Sequence, residues 1–310
     1  MANRIKIGII GLDTSHVTAF TELLSQPSHP YHVPGGQVIA AYPGGSPDFE
    51  LSISRVPEYT AALREDYSVA IVDSIDEAAQ QSDAILLESV DGRAHLAQFA
   101  RLASFGKPVF IDKPLAVTLA DAAEIARLAA LHRVPIFTSS ALRFAEAFKE
   151  ALADQEQGGI RGIDAFGPMA WQPTQPGYFW YGIHTVEMAF AAMGADCLDV
   201  TVASNEKHDI LVGRWSDDRL VTIRGNRTGN TAFGAILHRE KGSRLVDIRA
   251  NPKPYYVSLL EQIVRFFEGG ESPVSIDESL QVIRFIEAAN ESRATGKTVK
   301  LQGAGIAPLI

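Results

Sequence analysis

Two short stretches of the chain combine residue types that can handle a proton. Lys113 follows Asp112, directly after the apolar triplet Val109-Phe110-Ile111, and precedes Pro114. A lysine at the carboxyl end of a buried parallel strand points into the crevice where such sheets bind ligands, and there it can hold or polarise a hydroxyl. The competing reading is a salt bridge to Asp112 or Glu88. The second stretch is Gly182-Ile183-His184-Thr185-Val186-Glu187. Its histidine can serve as a base near neutral pH, or it can be a satisfied interior residue on a helix that buries one face. Just before it, Tyr178-Phe179-Trp180-Tyr181 is either core packing or a stacking wall for a ring-shaped ligand.

A third candidate lies near the N-terminus. Gly8 and Gly11 end the apolar run 5–10, where a dinucleotide-binding turn places its glycines. With Gly11 as the first glycine of Gly-x-Gly-x-x-Gly, Asp13 falls at the second position and His16 at the third. A carboxylate about 5 Å from a pyrophosphate would cost about 3 kcal/mol per charge pair at an effective dielectric of about 20. Asp13 therefore caps the following helix, or turns away while the Thr14 and Ser15 hydroxyls and the helix N-terminus hold the anion. After the second strand, Tyr42 is followed by Pro43-Gly44-Gly45-Ser46-Pro47, so no acid stands at the strand end for a ribose, and Asp48 reaches that place only if the loop folds back. His29 and His32 share a loop-like segment with no third ligand nearby, and no metal site is expected.

Elements of two kinds must position these residues. Apolar strand patterns at 5–10, 38–42, 68–72, 84–87, 109–111 and 135–138 alternate with helical ones at 14–25, 57–65, 75–81, 94–105 and 119–132. That alternation predicts a doubly wound parallel sheet. After a helix over 144–155 the pattern becomes a run of strands at 161–166, 198–203, 210–215, 219–225, 231–237 and 244–249, with hairpin turns at Asp217-Asp218 and Glu240-Lys241-Gly242. A helix at 180–193 interrupts this mostly antiparallel sheet, and helices at 255–268 and 277–295 close the chain. The fold class is α/β with a boundary near residue 141: a Rossmann domain over 1–141, then an α+β domain over 142–310 whose last helices can pack back on the first.

Composition narrows the function classes. The chain has 310 residues, 46% hydrophobic and 21% charged, with a formal net charge of −9. That charge opposes phosphate-backbone binding, so a nucleic acid partner is not expected. Met1-Ala2-Asn3-Arg4 runs straight into the first strand, and no apolar run approaches the roughly twenty residues of a membrane helix. A single cysteine, Cys197, fits a cytoplasmic protein without disulfides. An open sheet rich in apolar residues suggests association into a homo-oligomer.

The segment Gly106-Lys107-Pro108-Val109-Phe110-Ile111-Asp112-Lys113-Pro114-Leu115-Ala116 resembles the Glu-Lys-Pro-Leu segment of the Gfo/Idh/MocA oxidoreductases, the glucose-fructose oxidoreductase and inositol dehydrogenase family, with Asp112 in the glutamate position. His95 matches the histidine closing that family's Thr-Pro-Asn-x-x-His loop, with Val90-Asp91-Gly92 in place of Thr-Pro-Asn. Arg143-Phe144 resembles the Arg-Phe after the sixth strand, and Gly296-Lys297-Thr298-Val299-Lys300-Leu301 the closing Gly-x-x-Val-x-Leu. The 182–187 segment is similar to the family's Asp-x-Gly-x-His-x-x-Asp, with Glu187 for the last aspartate and Trp180 for the first. The resemblance implies a dehydrogenase that transfers hydride between NAD or NADP and a sugar, cyclitol or related polyol, with nicotinamide and substrate meeting between the domains. It implies Lys113 and His184 as catalytic residues, and cofactor contacts from Gly8, Gly11, Thr14, Ser15, His16, Glu88, His95, Asp112 and Lys113. Arg143, Trp180, Tyr181 and His184 are implied at the substrate. A non-redox member keeping the fold as a small-molecule binding or regulatory module is the rival reading.

Overall fold

The computed structural model describes residues 4–301, so Met1, Ala2 and Asn3, read above as leading into the first strand, lie outside the described residues. Tertiary contacts divide the chain into two compact units. The first comprises the chain through residue 116, with 120–139 and 256–276; the second comprises 117–119, 140–255 and the chain from 277 on.

The first unit alternates strands and helices: β1 (Ile5–Ile10), α1 (His16–Ser25), β2 (Gly36–Tyr42), α2 (Glu50–Ile53), α3 (Val56–Asp66), β3 (Ala70–Ile71), α4 (Ile75–Gln81), β4 (Ala84–Leu87), α5 (His95–Leu102), β5 (Val109–Ile111), α6 (Leu119–His132) and β6 (Ile136–Thr138). The six strands are parallel in the order β3-β2-β1-β4-β5-β6, the doubly wound arrangement in which the strand order reverses beside β1. All of β4 and β5 is buried, as strands covered on both faces by helices must be. Register aligns the carboxyl ends of these strands. Ile10 pairs with Leu87 and Leu87 with Ile111. The ladder then runs on, with Glu88 N–H donating to Ile10 O at 2.8 Å and Asp112 N–H to Leu87 O at 2.8 Å. Glu88 and Asp112 therefore leave adjacent strand ends side by side.

Several elements differ from the sequence reading, three helices among them. α1 starts at His16 rather than at residue 14, because Thr14 and Ser15 form the turn that feeds it. The 94–105 helix ends as a 3₁₀ turn over Ala103–Phe105. α2 was not anticipated in the glycine- and proline-rich loop; its Ser52 anchors it on Asp13.

The second unit contains α7 (Glu146–Ala153), β7 (Ile160–Pro168), α8 (Gly182–Met193), β8 (Cys197–Ser204), β9 (His208–Trp215), β10 (Leu220–Asn226), β11 (Gly234–Arg239) and β12 (Ser243–Asp247). α9 (Tyr255–Phe267) falls almost wholly in the first unit, where Phe266 meets Phe137 edge-on. α10 (Ile276–Thr295) and β13 (Val299–Lys300) return to the second. The seven strands run β12-β11-β7-β10-β9-β8-β13. All neighbours are antiparallel except β7 and β10, which are parallel, so the chain is not a simple meander. α8 lies on one face of this sheet and is buried along most of its length. Gly182 starts it because a Cβ there would sit 2.9 Å from the Tyr178 Cβ. No helix among the described residues is long and apolar enough to cross a membrane.

Candidate active site

At the β1–α1 turn Gly11 adopts φ +89°, and a Cβ on it would lie 2.3 Å from Ser89 Oγ, so only glycine fits between the ends of β1 and β4. The loop after β2 does fold back: Gly11 N–H donates to Tyr42 O at 3.0 Å and Leu12 N–H to Pro43 O at 2.7 Å. Asp13 is fully buried and faces inward. Its carboxylate accepts from Ser52 Oγ at 2.5 Å and from Val90 N–H at 2.9 Å. Burial raises its pKa above the ordinary range against the opposing effect of those two hydrogen bonds. Asp13 thus ties the turn to α2 and to the loop after β4; it neither caps α1 nor points at an anion. Thr14 is buried, Ser15 is exposed, and the start of α1 has no side-chain cap. A helix N-terminus with an exposed serine and no acidic residue in its first turn is a fit site for a pyrophosphate.

Asp48 reaches the same edge. Arg93 holds its two carboxylate oxygens at 2.8 and 2.9 Å and also grips Asp91, with Nη2 to Oδ2 at 2.7 Å. Gly8, by contrast, is a strand-interior residue: a Cβ there would lie 2.5 Å from Ser82 Oγ, so its smallness serves packing rather than a cofactor. His95 is held between two loops. It is fully buried, with Nδ1 2.9 Å from Pro114 O and Nε2 2.8 Å from Ser89 O, and so braces the two loops that flank Lys113 instead of presenting its ring to a ligand.

Beside Lys113 lies a cluster of ionisable groups. His16 Nδ1 is 3.6 Å from Glu88 Oε2 and 3.6 Å from Asp112 Oδ1, and its ring stacks on Phe20. Glu88 and Asp112 are completely buried. Burial works against the His16 imidazolium, but the charge of Asp112, reinforced by Glu88, outweighs it and holds the pKa up at about 10. Burial pushes Glu88 upward. For Asp112 the charges of His16 and Lys113 overcome burial and hold the carboxyl down. Lys113 itself is half-buried at the end of β5.

The second unit has a candidate group of its own. His184, half-buried in the first turn of α8, has Nδ1 2.7 Å from Ser140 Oγ. Glu187, one turn on, accepts from Ser140 N–H at 2.8 Å and from Arg143 Nε at 3.2 Å. Arg143 also pairs with Glu278 at 2.7 Å. Arg143, expected at the substrate, is buried between two carboxylates and fastens the 140–144 turn to α8 and α10. The aromatic run divides. Tyr178 and Phe179 are core residues, whereas Trp180 and Tyr181 are half-buried, and Tyr181 stands edge-on to both Trp180 (6.0 Å) and His184 (5.9 Å). Phe233 closes the other side of His184 at 5.5 Å.

Residues 5–139 match the family described as "Oxidoreductase family, NAD-binding Rossmann fold", the Gfo/Idh/MocA group. That match spans less than half of the chain, and through it the chain is similar to the Gfo/Idh/MocA oxidoreductases. The Salmonella typhimurium protein named "Putative oxidoreductase YceM" is 33% identical over 96 residues, a match spanning 30% of this chain and about a third (31%) of that relative. Among solved structures, the Lactobacillus casei myo-inositol dehydrogenase in complex with NAD(H) and myo-inositol aligns with a TM-score of 0.76 at 17% identity, covering 99% of each chain. The Lactobacillus casei scyllo-inositol dehydrogenase with bound NAD(H) and scyllo-inositol aligns at 0.80 and 14% identity, over 96% of this chain and 99% of that one. At such identities these two establish the fold.

The residues of the turn after β1 fit a dinucleotide. Gly11 and the start of α1 would hold the pyrophosphate, and the Asp48–Arg93–Asp91 chain stands where the loop after β2 meets the loop after β4. Sequence reasoning missed Arg93 and Ser140. Arg93 lies directly after Val90-Asp91-Gly92, which stand in place of Thr-Pro-Asn, and Ser140 lies just before Ala-Leu-Arg-Phe, so the family motifs pointed to both neighbourhoods but not to these side chains.

Proposed function

We propose that this chain is an NAD-linked dehydrogenase acting on a secondary alcohol of a cyclitol or sugar ring. The bound dinucleotide supplies the hydride acceptor in the oxidative direction. Lys113 donates a hydrogen bond to the substrate hydroxyl oxygen and stabilises the negative charge that grows there as the O–H bond breaks. His184 takes the proton. In the tautomer whose Nδ1–H donates to Ser140 Oγ, the lone pair is on Nε2, which would take the hydroxyl proton as the carbonyl forms and the carbinol hydrogen passes with its electron pair to the bound dinucleotide. Trp180 and Tyr181 give the ring a C–H face to lie against.

The observation that carries this reading is the 2.7 Å contact of His184 with Ser140, which orients a half-buried imidazole beside Trp180 and Tyr181 even though the family's first aspartate is absent. NAD is favoured over NADP because Arg93 is already neutralised by Asp48 and Asp91, leaving a net negative group that repels a 2′-phosphate. The dehydrogenases of similar fold, whose named ligands are inositols, support the substrate class. The outer face of the seven-stranded sheet exposes Val212, Leu220 and Leu245, which supports a homo-oligomer formed through that face. A single buried thiol supports a cytoplasmic location.

The test is a panel of inositols and sugars assayed with NAD. Lys113→Met and His184→Asn should each lower kcat by about 10²- to 10⁴-fold while dinucleotide binding persists. Undiminished turnover in both variants would overturn the assignment.

A further inference from the structure

We propose that His16, Glu88 and Asp112 form a binding site for one divalent transition-metal cation of the Mn²⁺ or Zn²⁺ type. The inference stands apart from the dinucleotide reading, because it rests on what these three side chains lack. Glu88 and Asp112 are 0% and 1% exposed, and neither oxygen of either carboxylate has a hydrogen-bond partner among the described residues; His16 Nδ1 has none either. Buried carboxylates are ordinarily hydrogen-bonded, since leaving the water shell without compensation is expensive.

An ion bound here takes the place of the proton that the two carboxylates hold on His16. One ligand atom from each residue falls within 4.8 Å of the others, and His16 Nδ1 is 3.6 Å from an oxygen of each acid. An ion about 2.1 Å from two atoms 3.6 Å apart sees them at roughly 118°, close to tetrahedral or trigonal. Two carboxylates balance the charge of a divalent ion. Lys113 adds a positive charge beside them that the ion must tolerate. An imidazole in the donor set favours Mn²⁺ or Zn²⁺ over the oxygen-preferring Mg²⁺ and Ca²⁺. The His16 side chain is 20% exposed, which leaves a side from which the ion and a water ligand can enter. The stack on Phe20, with centroids 4.9 Å apart, holds the imidazole in place.

The experiment uses full-length, tag-free protein stripped with chelator and titrated separately with MnCl₂ and ZnCl₂ by calorimetry, with the Mn²⁺ paramagnetic resonance signal followed in parallel. One ion per chain should bind with micromolar affinity. His16→Ala and Glu88→Gln, checked for folding by circular dichroism, should each weaken binding at least about tenfold, the loss that even outer-shell changes cause. No saturable binding of either ion by the parent below millimolar concentration overturns the proposal, whatever the variants do. So does unchanged affinity in both variants.

Discussion

Replacing Asp13 probes the turn on which dinucleotide binding depends. In Asp13→Ala the Val90 N–H and the Ser52 hydroxyl lose the buried carboxylate that receives them at 2.9 and 2.5 Å. Hydrogen bonds to a charged group contribute about 1.5–3 kcal/mol each, and part of that sum is offset because a buried charge is removed as well. The net loss should be about 2–4 kcal/mol, which for a unit of this size lowers Tm by roughly 5–15 °C. Asp13→Asn keeps an acceptor for Val90 and should lose less. Its pH dependence has a definite sign. The folded-state pKa of Asp13 is raised, chiefly by burial. The stabilisation this group adds is therefore complete below its unfolded pKa near 3.9 and is lost as pH rises through the higher folded value. The parent should accordingly lose ground to Asp13→Asn as pH rises above about 4, levelling off once the folded-state group has ionised. Urea unfolding of all three proteins from pH 4 to 8 measures both effects. An alanine variant within about 0.5 kcal/mol of the parent, or a parent-to-Asn difference that does not change with pH, would refute the reasoning.

Ser140→Ala removes the partner of His184 Nδ1, so kcat should fall about 3- to 10-fold with KM little changed, and Ser140→Thr should recover part of the loss; an unchanged kcat in steady-state assays would show that Ser140 does not orient the base. Trp180→Ala should raise KM for ring substrates about tenfold and leave kcat within a few fold, as measured across the inositol and sugar panel. Burial pushes the Cys197 thiol up to about 12, so only about one molecule in ten thousand is a thiolate at pH 8, and a disulfide reagent should modify it no faster than the protein unfolds.

Much of the fold could be read from pattern alone, because buried parallel strands such as Ile5–Ile10 and Ala84–Leu87 are continuous apolar runs bounded by helical periodicity. The parallel pairing of β7 with β10 was not readable, since strand periodicity says which face is buried but not which strand lies alongside. The site divides in the same way. Lys113 and His184 sit inside recognisable strings, whereas Ser140 and Arg93 act through partners 44 and 45 residues distant in sequence. Asp13 looked like an obstacle to phosphate because spacing gives the position of a carboxylate and not its direction. Gly8, Arg143 and His95 match motif positions, and spacing did not show that Gly8 abuts Ser82, that Arg143 pairs with Glu187 or that His95 lies against Ser89 O.

The central claim is hydride transfer from a ring alcohol to NAD. Its most direct test incubates the protein with NAD⁺ and a cyclitol deuterated at its carbinol carbons, and follows deuterium in the reduced dinucleotide by mass spectrometry. Singly deuterated NADH should form in step with the cyclitol ketone, greatly slowed in His184→Asn. Reduced dinucleotide lacking deuterium, or none from any ring alcohol while the substrate still binds, would contradict it and leave a ligand-binding module on an oxidoreductase fold.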